Sequence, residues 1–376
     1  MQENRTFRLN PSAFLRTESH RHDAPLPPVA DVQSFWQDLY EKVEPFNADA
    51  QWIGRFKSFC DDHLKEVDPS CPLITPESVR AALKGKRNFS APGPDRINNL
   101  WWKRFPSTHF HIARNFHQIL EGNQPIPSWL VEGRTVLISK GGDTTQPKNY
   151  RPITCLNTLY KTFTGILNEN TLSEIAPIWQ EISEQRGCKR GLAGCKENLL
   201  VDRTICSDSV HYKRNLSMAW VDYRKAFDTT NHQYLTVLLK CLQVHSSTRR
   251  CLTDLMGLWR TRFSITSGGK KVLTDYIQFR RGVFQGDSLS PLLFCISLLP
   301  LSVELRQMSG YMAGPPNCRT HRVTHLFYMD DLKVYASIES RHQQTLEVVL
   351  SFTHGIGMEF GLEKCAVIHL NRGRCT

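Results

Sequence analysis

Three aspartates close short apolar runs in the C-terminal half of the sequence. Asp222 follows Ser217-Met218-Ala219-Trp220-Val221, and Asp330-Asp331 lies between His325-Leu326-Phe327-Tyr328-Met329 and Leu332-Lys333-Val334-Tyr335. Apolar runs this short read as strands, and the two adjacent acids read as a tight turn joining two of them. Alone, Asp330-Asp331 would be an ordinary solvated hairpin tip. Asp222 changes that reading, because a carboxylate at the end of a buried strand must be exposed or partnered. Three carboxylates from strand ends can meet on one face of a sheet. Hard divalent cations take oxygen ligands, and Mg²⁺ is held by a few carboxylates together with substrate phosphates. A pair of such ions clamps the attacking and leaving oxygens of an in-line phosphoryl displacement. Asp222, Asp330 and Asp331 are therefore the expected catalytic and metal-holding set.

Charge points to the partner. The chain of 376 residues carries a net charge of +11, which favours a polyanion. Basic doublets recur along it: Lys86-Arg87, Lys103-Arg104, Lys189-Arg190, Lys213-Arg214, Arg224-Lys225, Arg249-Arg250, Lys270-Lys271 and Arg280-Arg281. A basic tail would form one block, whereas repeated doublets suit a groove lined from many elements. No apolar run reaches the roughly 18 residues of a membrane span, and the N-terminus lacks the apolar region of a secretory signal. The twelve cysteines contain no C-x2-C pair. They read as reduced, mostly buried thiols, with Cys188 and Cys195 at most half a ligand set. The expected setting is intracellular, cytoplasm and/or nucleus, without membrane contact.

The elements that must position the acids follow from pattern. Residues 1–30 read as disordered and 31–74 as a helical extension, with Phe35, Trp36, Leu39, Tyr40 and Val43 at helical spacing. Thr75 is suited to cap a helix that opens with Pro76. Further helices are predicted at 101–120, 157–175, 199–214 and 231–244, with a strand at 135–139. Ser267-Gly268-Gly269-Lys270 reads as a hairpin tip. A helix opening at Ser290-Pro291 should bend or end at Pro300. Asp228 is expected to cap the turn after it. This order, without regular βαβ units, argues an α+β fold with an antiparallel sheet.

Six motifs, in order over roughly residues 75–370, resemble those of non-LTR retrotransposon reverse transcriptases. Tyr328-Met329-Asp330-Asp331 resembles the catalytic hairpin, and Asp222-Tyr223-Arg224-Lys225-Ala226-Phe227-Asp228 resembles the first carboxylate motif. The run 281–291, with Gln285-Gly286, is similar to the template and nucleotide motif between them. Ser90 to Asp95 and Asn149-Tyr150-Arg151-Pro152-Ile153 are similar to fingers motifs, and Phe360-Gly361-Leu362-Glu363-Lys364-Cys365 to the motif after the hairpin. The nearest likeness is to the lineage that inserts into ribosomal RNA genes.

The resemblance implies a right-hand polymerase: fingers with the start of the palm over 75–215, and an antiparallel palm sheet packed on helices over 216–376. It places thumb and endonuclease outside the sequence. It implies an RNA-directed DNA polymerase joining dNTPs to a DNA primer on an RNA template. Two Mg²⁺ ions would serve, with Mn²⁺ able to substitute. Lys140 and Arg151 would reach the triphosphate, Phe227 would lie under the sugar and exclude a 2′-hydroxyl, and Gln285 and Gly286 would line the nucleotide pocket. Lys364 would donate a proton to pyrophosphate. The plain alternatives are a solvated loop lysine at 140, core packing at Phe227 and a turn glycine at 286. Arg96 stands where the family usually has glycine, so that turn is expected to differ. A group II intron maturase and a non-catalytic RNA-binding remnant are the competing readings.

Overall fold

The computed structural model describes residues 26–64, 71–267, 270–318 and 320–375. Of the expected disorder over residues 1–30, positions 1–25 lie outside these residues, as does the Gly268-Gly269 hairpin tip, whereas Val29 and Ala30 already belong to a helix, Val29–Tyr40.

Two five-stranded sheets carry the fold. The first has strands β1 (Glu132–Ser139), β2 (Tyr150–Leu156), β4 (Arg260–Ser267) and β5 (Lys270–Leu273) in the order β2-β1-β4-β5, with β6 (Ile277–Gln278) also on β4. The second has the order β12-β11-β3-β10-β9 and is antiparallel throughout. Its strands are β3 (Leu216–Val221), β9 (His325–Tyr328), β10 (Asp331–Ala336), β11 (Ala366–Asn371) and β12 (Arg374–Cys375). A separate two-stranded sheet pairs β7 (Tyr311–Ala313) with β8 (His321–Val323). With helices packed against these sheets, the fold is α+β as the element order implied.

The central support is the helix Ser290–Arg306, buried along almost its whole length. It opens with Pro291 as expected, but it runs on through Pro300. A mid-helix proline costs about 3 kcal/mol, whereas burying one Leu, Ile or Phe side chain contributes about 1.5–3 kcal/mol. Leu292, Leu293, Phe294, Ile296, Leu298, Leu299 and Leu301 are all nearly inaccessible, so tertiary packing overrides the local preference. The Tyr234 hydroxyl donates to the Ser297 carbonyl at 2.8 Å, in the stretch the proline disturbs.

A second departure lies at 101–120, where the single predicted helix is two, Asn99–Arg104 and Thr108–Glu121. Phe105 precedes Pro106 and takes φ −115°, ψ 71°, because the proline ring disfavours helical backbone before it. The cap at Thr75 forms as expected: its side chain accepts from the Ser78 N–H, and the Ser78 hydroxyl accepts from the Thr75 N–H.

The helices Val29–Tyr40 and Gln51–His63 share the main core. Trp36 is fully buried and stacks on Phe263 with ring centroids 5.4 Å apart, and Tyr40 stacks on Phe279 at 4.0 Å. Trp52 packs on Phe352 at 4.8 Å. Trp36→Ala is therefore expected to lower global stability by about 3–5 kcal/mol. Urea unfolding should show the main transition moving to lower denaturant. An unmoved main transition with a separate early one would mean that the helix unfolds as an independent unit.

Candidate active site

Strand register brings two of the acids together. β3 and β10 pair Val221 with Leu332, so Asp222 and Asp331 follow one rung further along the same ladder. Asp331 also pairs with Tyr328 across the hairpin, which leaves Met329-Asp330 as a two-residue turn. Gly361 supports Asp222 closely: its N–H donates to the Asp222 carbonyl at 2.8 Å. A Cβ at Gly361 would stand 2.5 Å from Asp222 Oδ2, so a larger residue there would push the carboxylate aside. Lys364 Nζ lies 3.2 Å from the same oxygen.

The acids feel one another. Burial raises the pKa of Asp330, and the charges of Asp331 and Asp222 raise it further, against a backbone hydrogen bond and Lys364. Asp331 is raised by burial and then by Asp222, again opposed by Lys364. Desolvated carboxylates that repel one another in a cleft are a functional-site signature. Among the described residues, no three His, Cys, Asp or Glu side chains are gathered closely enough to ligate an ion. The donor chemistry nevertheless fits a hard divalent cation: the set is all carboxylate, a cation relieves its repulsion, and Lys364 already supplies positive charge to Asp222.

The basic pair lies in the same field. Arg151 on β2 pairs with Ile138 on β1, and the Lys140 N–H donates to the Asn149 carbonyl at 2.8 Å. Partial desolvation lowers the pKa of Lys140. Asp228 and Asp222 pull it up, while Arg151 and Lys364 push it down. Lys140 is thus within electrostatic reach of Asp222, Asp228, Arg151 and Lys364.

Next to the acids, Asp228 is buried, Phe227 and Gln285 are half-buried and Gly286 is exposed. Asp228 does not cap a turn. It is 2% exposed, and its Oδ1 accepts from the Tyr40 hydroxyl at 2.9 Å and from Gln285 Nε2 at 3.0 Å. The short helix Ala226–Thr229 directs it inward, where burial raises its pKa against Lys225 and these two bonds. Tyr40 was not legible as a site residue, because it falls on the apolar side of its helix like any core tyrosine. Phe227 is half-buried and stacks on Phe294 at 4.6 Å with 15° between the planes. The Gln285 carbonyl accepts from the Thr154 N–H at 2.7 Å. Gly286 has φ +123°, and a Cβ there would stand 2.6 Å from the Thr154 carbonyl oxygen. This glycine thus allows close backbone approach as well as the turn. Arg96 takes φ +58°, a left-handed backbone that glycine would adopt without strain.

Many of the basic doublets have structural work. Arg281 Nε donates to the Leu39 carbonyl at 2.7 Å, Arg250 to Leu120 at 2.7 Å, and Lys189 to Ile182 at 2.6 Å. Arg214 pairs with Asp208 at 2.8 Å. Lys225 lies over the Trp36 ring at 4.3 Å, and burial pushes its pKa down to about 8. Doublet counting therefore overstates the free positive surface. The cysteines are also less buried than expected: Cys195, Cys318 and Cys375 are exposed, and Cys188 contacts Met329 rather than Cys195. Among the described residues, no helix is long and apolar enough to cross a membrane.

Known proteins resemble this chain over most of its length. A sequence profile of the reverse transcriptase (RNA-dependent DNA polymerase) family matches residues 138–373. The retrovirus-related Pol polyprotein from type-1 retrotransposable element R2 of Popillia japonica is 30% identical over 78% of this chain and 39% of its own length. The corresponding polyprotein from type-2 element R2DM of Drosophila melanogaster is 25% identical over 91% of this chain and 30% of its own. An uncharacterized 149 kDa protein of transposon TX1 from Xenopus laevis is 27% identical over 81% of this chain and 22% of its own. The chain thus spans less than half the length of each.

The carboxylate repulsion has a stability consequence. A raised folded-state pKa means that the group favours the fold below its unfolded value, and that this contribution is lost as pH rises through the folded value. Above that window the ionised Asp330 opposes folding. Asp330→Asn is expected to raise the melting temperature at neutral pH, with the gain shrinking as pH falls toward the ordinary carboxylate range. A lower melting temperature at neutral pH would show that Asp330 is a structural partner instead.

Proposed function

The chain belongs to the reverse transcriptase (RNA-dependent DNA polymerase) family, and from that premise we propose that it catalyses RNA-directed DNA synthesis for a non-LTR retroelement. The substrates are dNTPs, a primer 3′-hydroxyl and an RNA template. The reading rests above all on the strand register that sets Asp222 and Asp331 side by side at the sheet end, with Asp330 in the adjoining turn.

Asp222, Asp330 and Asp331 would hold two Mg²⁺ ions, or Mn²⁺, which when bound activate the primer hydroxyl and neutralise the reacting phosphates. The chain supplies the rest by position. Lys140 offers a point charge and Arg151 a forked donor to the triphosphate. Lys364 stands beside Asp222, where it can shift to the leaving pyrophosphate as proton donor. Gln285 is fixed by Asp228, and Gly286 lets the backbone approach the nucleotide. Phe227, its ring plane set by Phe294, closes the space a 2′-hydroxyl would need. We assign 75–215 to the fingers with the start of the palm, and 216 onward to the palm. The engagement of doublet residues in the fold weighs against a purely RNA-binding role.

The test is single-nucleotide addition to a DNA primer on an RNA template. Asp222→Asn is expected to abolish addition while RNA binding persists, because binding does not depend on the acids. Near-normal addition by this variant would sink the assignment.

Phe227→Ala is expected to raise ribonucleotide use relative to deoxyribonucleotide use, since removing the ring removes the clash. Competition between the two nucleotide types measures this directly. An unchanged ratio would make Phe227 a packing residue.

A further inference from the structure

The catalytic turn is held by a side chain to which no role has been given. Met329, first of its two turn residues, has φ +56°. That is the positive value a two-residue hairpin needs at this position, and it is uncommon for a residue with a Cβ. Gln185 is 1% exposed and lies directly against it. Its Nε2 donates to the Met329 carbonyl at 3.1 Å, and its Oε1 accepts from the Met329 N–H at 3.0 Å. Both backbone polar groups of the turn residue are thus satisfied by one carboxamide, 144 positions away in sequence.

The surroundings are built for this contact. The Phe327 N–H donates to the Glu184 carbonyl at 3.0 Å and the Arg186 N–H to the Phe327 carbonyl at 3.1 Å, so the segment bearing Gln185 runs beside β9. The Gly187 N–H donates to Gln185 Oε1 at 2.9 Å and fixes the carboxamide. A Cβ at Gly187 would stand 2.8 Å from Met329 N, and one at Gly194 would stand 2.7 Å from the Tyr328 ring. Two glycines therefore let this bed close on the hairpin.

We infer that Gln185 is a positioning residue for catalysis: its carboxamide locks the Met329-Asp330 turn and so fixes the Asp330 carboxylate beside Asp331 and Asp222. The inference rests on the polymerase reading above. Glutamine suits the task because a primary carboxamide presents a donor and an acceptor side by side, matching the C=O and N–H of one residue. Ionised glutamate offers acceptors only, and methionine offers no donor and only a weak acceptor. Misplacing a catalytic group by about 1 Å costs on the order of 100-fold in rate.

The test compares the wild-type chain with Gln185→Met, Gln185→Glu and the double variant Gln185→Met/Met329→Gly in single-nucleotide addition with Mg²⁺. Gln185→Met is expected to lose on the order of 100-fold in kcat with little change in KM for dNTP. Glycine adopts positive φ unaided, so the double variant should recover a large part of that loss. Gln185→Glu gives an independent signature that needs no other variant to fold. Its ionised carboxylate repels the Met329 carbonyl, while its protonated form again offers donor and acceptor, so its kcat relative to wild type should rise as pH falls. Near-wild-type kcat in Gln185→Met, no recovery in the double variant, or a Gln185→Glu ratio that is flat with pH would each overturn the inference while the wild type remains active. A wild-type chain that adds no nucleotide even when joined to the thumb of a related polymerase would overturn the polymerase reading itself.

Discussion

The pairing of β3 with β10 decides whether there is a site at all. Side chains alternate faces along a strand, so a slip of one residue would send Asp331 to the opposite face from Asp222. Lys333 guards the register. It is 8% exposed on β10, lies 3.7 Å over the Trp220 ring on β3, and is paired with Asp202 from the helix Cys195–His211. The Tyr335 hydroxyl donates to the same carboxylate at 2.9 Å. A slipped ladder would strip a buried ammonium of its partner, which is far costlier than losing an apolar contact. β9 and β11 flank the pair on either side, so neither inner strand is free to shift.

The site itself works against the fold. It gathers desolvated like charges around Asp330 and Asp331, left-handed backbone at Met329, and at Gly286 a position where any Cβ would collide with backbone. The apolar body beneath offsets these costs. The helix Ser290–Arg306 is buried on all sides, and its Phe294 and Cys295 touch Phe227 and Met329 directly. Rigid support thus reaches Phe227 and the Met329-Asp330 turn from the same helix, a division between strained site and ordinary core that functional proteins commonly show.

Local pattern revealed the elements whose signals are local. The strand ends bearing the acids, the Thr75 cap, the antiparallel sheet and the α+β class were all legible from period and punctuation. Tertiary competition was not. Pro300 reads as a helix breaker until the burial around it is known, and Phe105-Pro106 reads as mid-helix until the backbone restriction is applied. Asp228 reads as a cap because its partners Tyr40 and Gln285 are remote in sequence. Gln185 could have been suspected only from the glycines that follow it, since Gly187 and Gly194 mark places where backbone comes close to something. Which members of the basic doublets are engaged in the fold was not legible either, because charge composition does not distinguish an arginine facing solvent from one donating to a buried carbonyl.

The central claim is that Asp222, Asp330 and Asp331 form one divalent-cation site. The direct measurement replaces Mg²⁺ with Fe²⁺ and maps backbone cuts made by the hydroxyl radicals it generates. The expected result is cleavage clustered at Asp222, at the Met329-Asp330 turn and near Gly361, suppressed by excess Mg²⁺ and by Asp331→Asn. Cuts elsewhere, or cuts at these positions that persist in Asp331→Asn, would contradict it.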